Sequence, residues 1–174
     1  AKTNGGAIYN NGDIVTVINS NFTNTKANRG GAIYNEIFNN DCVLTVINST
    51  FTNTTASDVG GAIHGYTGSW TVTNSTFINN TALMGSAISI ISTSSEVLSN
   101  NLSNSRFIEN NITGKDIICV SGCNITLNNN TITTNAIPIY DTDNDGNLPF
   151  AIFTSPVFLT FDNITVDRGE NATL

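Results

Sequence analysis

"VLTVINSTFTNT" occupies residues 43–54, and the alternation of its letters decides the fold. Leu44 and Val46 are apolar, Thr45 between them is polar, and Phe51 stands alone among hydroxyls and amides. Period-two alternation marks a strand with one face buried. The phrase recurs along the chain, as IVTVINSNFTNT at 14–25, WTVTNSTFINN at 70–80, NLSNSRFIEN at 101–110 and ITLNNNTITTN at 125–135. A second phrase precedes each copy. It reads GGAIYN at Gly5 and at Gly30, GGAIHG at Gly60 and GSAISI at Gly85, then decays to GKDI at Gly114 and TNAI at Thr134. The period is about 25 to 30 residues, within the range of solenoid repeats.

Aligned copies give columns. Ile8, Ile33, Ile63, Ile88, Ile117 and Ile137 share one; Val17, Val46, Val72, Leu102 and Leu127 share another. Val15, Leu44, Trp70, Asn100 and Ile125 lie two residues before the second, and Phe22, Phe51, Phe77, Phe107 and Ile132 form a third strong apolar column. These columns are predicted to face inward, and the polar column Thr16, Thr45, Thr71, Asn101 and Thr126 to face solvent. Asn19, Asn48, Asn74, Asn104 and Asn129 stand two residues past the valine column. Strand parity predicts that they point inward as a ladder of amides bonding coil to coil, because buried polar groups need partners. Gly-Gly permits a tight bend before each Ile strand.

Each period therefore holds about three short strands, and no stretch is long enough for a helical crossover. Strands of successive periods must stack directly as parallel neighbours. The expected fold is all-β, a parallel β-helix of about five to six coils, with coils about 4.8 Å apart. The repeats fill residues 1–137. Residues 138–160 contain all three prolines and a long apolar run, and read as a C-terminal coil or cap. Residues 161–174 read as a linker or the first strand of a following module.

Composition narrows the function. The 174 residues carry a net charge of −7, which gives no electrostatic footprint for nucleic acid or anionic lipid. No apolar run approaches a membrane span, and no signal peptide is present. Because "AKTNGGAIY" already lies inside a repeat, the chain is expected to be a fragment of a longer protein. Sequons abound, among them Asn21, Asn53, Asn79, Asn101 and Asn111. On the parity reading, Asn101 projects into solvent and accepts a glycan, while Asn48, Asn74 and Asn129 stay bare inside the coil.

The paired GGAI and FxxN motifs resemble the repeats of chlamydial polymorphic outer-membrane proteins. The fuller wording, "TVINSNFTNT" and "TVTNSTFINNTA", is similar to adhesin-like proteins of methanogenic archaea. The likeness covers about residues 4–137; FxxN is met at Phe77–Asn80 and Phe107–Asn110, whereas Thr25 and Thr54 stand at that place in the first two copies. The resemblance implies a right-handed β-helix and a surface-displayed, adhesive role. It also implies a following immunoglobulin-like repeat, to whose entry strand "DNITVDRGENATL" is similar. The expected location is extracellular, at the cell surface. The expected partner is a glycan or protein on another cell, with no nucleic acid and no membrane contact by this segment.

Several residues invite chemistry. "DTDNDG" places Asp141, Asp143 and Asp145 at alternate positions before Gly146, the first half of a calcium loop, although Ile152 stands where a bidentate Glu is required. An acidic turn is the alternative, and no cofactor other than calcium is expected. His64, the one histidine, is expected at the surface in the outward column of Tyr9 and Tyr34. Tyr9 and Tyr34 fit either half of a sugar platform or a cross-strand pair. Cys119 and Cys123 fit either a bridge across their turn or two reduced thiols; Cys42 is about 14 Å from Cys123 by strand spacing, too far to bridge. The alternative function is a carbohydrate-active β-helix enzyme, a polysaccharide lyase or glycoside hydrolase. Such chemistry needs paired carboxylates or a base with a cation, and Asp13, Asp41, Asp58, Glu96, Glu109 and Asp116 stand apart along the columns. The chain is therefore expected to be no enzyme.

Overall fold

The structure is a computed structural model. It describes residues 3–12, 14–36, 43–66, 68–92, 99–112, 116–121, 123–133, 137–141, 151–153 and 158–160.

Short strands follow one another with corners between them. The first circuit is β1 (Ile8–Asn11), β2 (Val15–Ile18), β3 (Asn21–Thr23) and β4 (Lys26–Ala27). The second is β5 (Ile33–Glu36), β6 (Val43–Ile47), β7 (Thr50–Thr52) and β8 (Thr55–Ala56), and the third is β9 (Ile63–Tyr66), β10 (Ser69–Thr73), β11 (Thr76–Ile78) and β12 (Thr81–Ala82). Then come β13 (Ile88–Ile91), β14 (Ser99–Ser103), β15 (Arg106–Ile108) and β16 (Asn111–Ile112), followed by β17 (Asp116–Ser121), β18 (Asn124–Asn128) and β19 (Thr131–Thr133). Last are β20 (Ile137–Asp141), β21 (Ala151–Phe153) and β22 (Phe158–Thr160).

Equivalent strands stack into four sheets. The Ile sheet runs β1-β5-β9-β13-β17-β20, the Val sheet β2-β6-β10-β14-β18-β21 and the Phe sheet β3-β7-β11-β15-β19-β22, while β4-β8-β12-β16 form a short corner sheet. Every pairing among the described strands is parallel, and like meets like: Val46 lies between Val17 and Val72, and Phe51 between Phe22 and Phe77. The chain is thus an all-β parallel solenoid, with no helix among the described residues. Segment 138–160 gives a strand to each of the three long sheets, so parallel stacking continues through it.

The core is the inner faces of the Ile, Val and Phe sheets. Leu44, Val46, Phe51, Ile63, Phe77, Phe107, Leu127 and Ile132 are all wholly buried within one cluster. The phenyl rings stack face to face, with centroids 4.8 to 4.9 Å apart and interplanar angles of 6° or less. That spacing is the strand spacing itself, so the ladder costs the backbone no distortion. Thr16, Thr71 and Asn101 are exposed, as the alternation requires.

Two expectations need correction. The Asn column faces outward: Asn19, Asn48, Asn74, Asn104 and Asn129 are exposed, with φ between 49° and 51°. Parity fails there because a left-handed residue ends the strand and turns the corner, a conformation that Asn tolerates better than most side chains. The following residue then points in. Ser49, Ser75, Ser105 and Asn130 are buried, and each accepts the backbone N–H of its counterpart one coil earlier at 2.9 to 3.2 Å. Some outer amides still bond coil to coil, since Asn129 Nδ2 donates to Asn104 Oδ1 at 2.8 Å.

The Ile column also slips in its later copies. Ile88 pairs with Ile118 rather than Ile117, and Ile118 pairs with Ile139 rather than Ile137. Ile117 takes the place of Ala87, whose N–H bonds to the Ile117 carbonyl at 3.0 Å. Both sites are inward-facing and apolar, so "II" fits them once the alanine of GGAI has gone.

The second corner carries the buried amide ladder. Asn24, Asn53, Asn79 and Glu109 turn it with φ between 49° and 57°. The FxxN position comes next and points inward. Asn80 Oδ1 accepts from Thr54 N–H at 2.9 Å and from the Thr54 hydroxyl at 2.6 Å, while Asn80 Nδ2 donates to the Phe51 carbonyl at 3.1 Å. Asn110 repeats this toward Asn80 and the Phe77 carbonyl.

Candidate functional site

Side chains other than core ladders gather on the outer face of the Ile sheet. The Gly-Gly bends put a second layer there. Gly60 has φ +66°, and a Cβ on it would lie 2.6 Å from the His64 Cβ; a Cβ on Gly61 would meet the Ser86 carbonyl oxygen at 1.9 Å. Glycine is therefore required for the bend to lie against both the strand and the next coil. Beside these bends the outward column is buried from Tyr34 to Cys119. Tyr9, Tyr34, His64, Ser89 and Cys119 follow one another in register along this face.

The column is aromatic at one end. Tyr9 stacks on Tyr34 at 5.4 Å and 5°, Tyr34 tilts against His64 at 5.5 Å, and Tyr66 stands edge-on to His64 at 5.0 Å. Charged groups rim it. Arg29 bonds Asp58 through Nε at 2.8 Å and the Tyr66 hydroxyl through Nη1 at 2.7 Å, and the Tyr9 hydroxyl donates to Glu36. Arg29 is thus paired with Asp58 and Tyr66, and Glu36 with Tyr9.

This corrects the surface assignment of His64 and Tyr34. His64 is 0% exposed and Tyr34 2%, whereas Tyr9 is 51% exposed. Burial, and then the nearby Arg29 charge, hold the His64 imidazole down to about 3, against weaker pulls from the Ser89 backbone and Asp58. Burial likewise pushes the Tyr34 phenol up to about 12. The Tyr9 phenol is raised chiefly by its hydrogen bond to Glu36. Tyr9 and Tyr34 form the cross-strand pair, and Tyr9 alone presents a ring to solvent.

The remaining expected residues are dispersed. Asp141 ends β20, while Asp143 and Asp145 lie outside the described residues. Among the described residues no three His, Cys, Asp or Glu side chains come together. Cys119 and Cys123 are buried thiols without a disulfide, and Cys42 lies outside the described residues. Asn101 is exposed on β14, but Asn48, Asn74 and Asn129 are exposed too, so burial does not keep them bare.

The alternation assigns no role to Arg29, Glu36 and Tyr66, and places Asp58 only among the dispersed acids. One signal was available: the outward column Tyr9, Tyr34, His64, Ser89, Cys119 lacks the Thr and Asn that fill the exposed column of the Val sheet. Compared with known proteins, the chain matches no family model, no curated protein and no solved structure.

Proposed function

We propose that this chain is an adhesin-like repeat segment of an extracellular, cell-surface protein, acting as a stalk or adhesive surface within a longer multidomain chain. The observation that carries the reading is the division of labour between columns. Inward positions hold a fixed cross-section from coil to coil, with Val46 between Val17 and Val72 and Phe77 between Phe51 and Phe107. Outward positions such as Thr71 and Asn101, paired in register, are free to change without disturbing that cross-section. A rod of constant section with a replaceable surface suits display toward glycans or proteins of another cell. Asp141, Asp143 and Asp145 are proposed to hold calcium at its far end.

The test is direct. Antibody raised against the chain should label intact, unpermeabilised cells of the source organism, and the purified chain should bind members of a glycan or cell-surface protein array. Label confined to permeabilised cells overturns the reading. So does release of reducing or unsaturated sugar ends from polysaccharides by the purified chain, which is the outcome the enzyme alternative requires.

A further inference from the structure

Asn-Gly occurs twice in the chain, at Asn4–Gly5 and at Asn11–Gly12. Asparagine is thermolabile, and most so before glycine, whose nitrogen has no neighbouring Cβ to keep it from turning back onto the side-chain carbonyl carbon. The fold treats the two dipeptides differently. Asn4 forms a parallel bridge with Arg29, the Gly5 N–H donates to the Arg29 carbonyl at 3.0 Å, and a Cβ on Gly5 would lie 2.2 Å from the Ile8 carbonyl oxygen. That peptide is clamped between its own strand and the next coil. Asn11 instead ends β1 and is exposed. Gly12 has φ +102°, and a Cβ built there would meet no atom of the described residues within 4 Å.

The exposed asparagines of the other two corners are guarded by the ladders. The nitrogen that follows Asn19, Asn48, Asn74 and Asn104 belongs to Ser20, Ser49, Ser75 and Ser105, and each donates to the inward ladder of the next coil at 2.9 to 3.2 Å. After Asn53 and Asn79, the nitrogens of Thr54 and Asn80 donate to the Oδ1 atoms of Asn80 and Asn110 at 2.9 and 3.0 Å. A nitrogen so engaged must break a buried hydrogen bond before it can attack, and such bonds open rarely. Each of these following residues also carries a Cβ. Gly12 stands at the third corner, between β1 and β2, outside both ladders and without a Cβ.

We propose that Asn11 is a self-modifying site, at which the Gly12 nitrogen displaces ammonia from the side chain and water then leaves a carboxylate in place of the amide. The bond that forms is Gly12 N to Asn11 Cγ, and the bond that breaks is Cγ–Nδ2. The Gly12 amide proton departs with Nδ2 as ammonia. Water then adds across either carbon–nitrogen bond of the cyclic imide, giving aspartate, or isoaspartate with the main chain rerouted through the former side chain. Water is the only co-reactant, and nothing is oxidised or reduced. The product carboxylate lies on the exposed side of β1 with Tyr9, in register with Glu36 of β5, whose carboxylate already accepts from the Tyr9 hydroxyl. Like charges directly opposite on paired strands disfavour the pairing. The solvent-facing Tyr9 ring thereby gains a second acidic neighbour as the protein ages, while the core ladders keep their composition.

Ageing the purified full chain in mildly alkaline buffer made with heavy-oxygen water, with peptide mapping by mass spectrometry at intervals, tests this. Trypsin releases residues 3–26 as one peptide that carries both dipeptides. Asn11 should acquire a solvent oxygen, as a mixture of aspartate and isoaspartate, about tenfold faster than Asn4. The corner asparagines should stay unmodified over the same period. The same peptide released before ageing has no fold to discriminate, and its two sites should convert at rates within about twofold of each other. Gly12→Ala should slow conversion at Asn11 in the free peptide as well as in the chain, so that readout does not depend on folding. Equal conversion of Asn4 and Asn11 in the folded chain overturns the proposal. So does a folded Asn11 that persists while Asn11 of the free peptide converts, and so do corner asparagines that convert as fast as Asn11.

Discussion

Replacing Phe51 with alanine probes the ladder where it is most complete. Its ring is wholly buried and sandwiched between Phe22 at 4.8 Å and Phe77 at 4.9 Å, both nearly coplanar with it. Loss of the ring removes its transfer free energy and leaves a slot that parallel strands cannot close, since hydrogen bonds fix their spacing. Such substitutions cost about 3–5 kcal/mol. Two stacked contacts vanish together, each worth about 0.5–1.5 kcal/mol beyond area burial, which places Phe51→Ala toward the upper end. Phe22 provides the internal comparison. It is half-buried and stacks on one neighbour only, so Phe22→Ala should cost about half as much. Urea unfolding monitored by circular dichroism reads both. With a slope of about 2 kcal/mol per molar urea, Phe51→Ala should lower the midpoint by about 2 M and Phe22→Ala by about 1 M. Thr45→Ala, on the outer column, should stay within about 0.5 kcal/mol. Equal losses for Phe51 and Thr45 would refute the inside-outside assignment, and equal losses for Phe51 and Phe22 would refute the stacking argument.

The corner ladders separate by the same assay. Asn80→Ala strands the Thr54 N–H and the Phe51 carbonyl in the interior and should cost about 2–4 kcal/mol, whereas Asn79→Gly beside it should be close to neutral because φ is 51° there; the reverse order would mean that the two turn residues are exchanged. For pH, the His64 imidazole is depressed in the folded state to about 3 from an ordinary 6.5. Its contribution is therefore fully present above about pH 6.5 and falls as pH drops, by up to about 1.4 kcal/mol per unit. The parent urea midpoint should fall relative to that of H64S over that window, and a constant difference from pH 7 to 4.5 contradicts the shift. Finally, if the source organism glycosylates exported asparagines, peptide mapping of native protein should find Asn101 and at least one of Asn48, Asn74 and Asn129 modified, since all four are exposed. Glycan on Asn101 alone would mean that the corner turns are hidden in the native protein.

Strand content, parallel stacking and the identity of the inner columns were legible because alternation is a local property of letters, and a repeated alternation fixes register. What escaped was set by single backbone residues. Asn48 reads as inward by counting from Val46, and only its positive φ transfers the inward place to Ser49. The FxxN amide was visible as a motif, yet its partners, Thr54 and the Phe51 carbonyl, come from the preceding coil and leave no mark nearby in sequence. The layer over His64 was illegible for a related reason. Counting assigned His64 to the outer face correctly, but its burial comes from side chains such as Tyr34 of the preceding coil, which alternation does not encode.

The corner ladders bond residues 25 to 30 apart in sequence, and those bonds run from each coil to the next. A solenoid pulled by its two ends is therefore stretched across its hydrogen bonds, one ring of the stack at a time. Each ring contributes about 4.8 Å to the resting length. Once peeled away it releases about 25 to 30 residues of chain, roughly 85–100 Å when extended. The reserve is about twentyfold, and it pays out in steps. A tether with this build yields to a tug by lengthening rather than by transmitting peak force to whatever holds its far end, and it can rewind onto the next intact ring, whose exposed edge already carries the matching ladder.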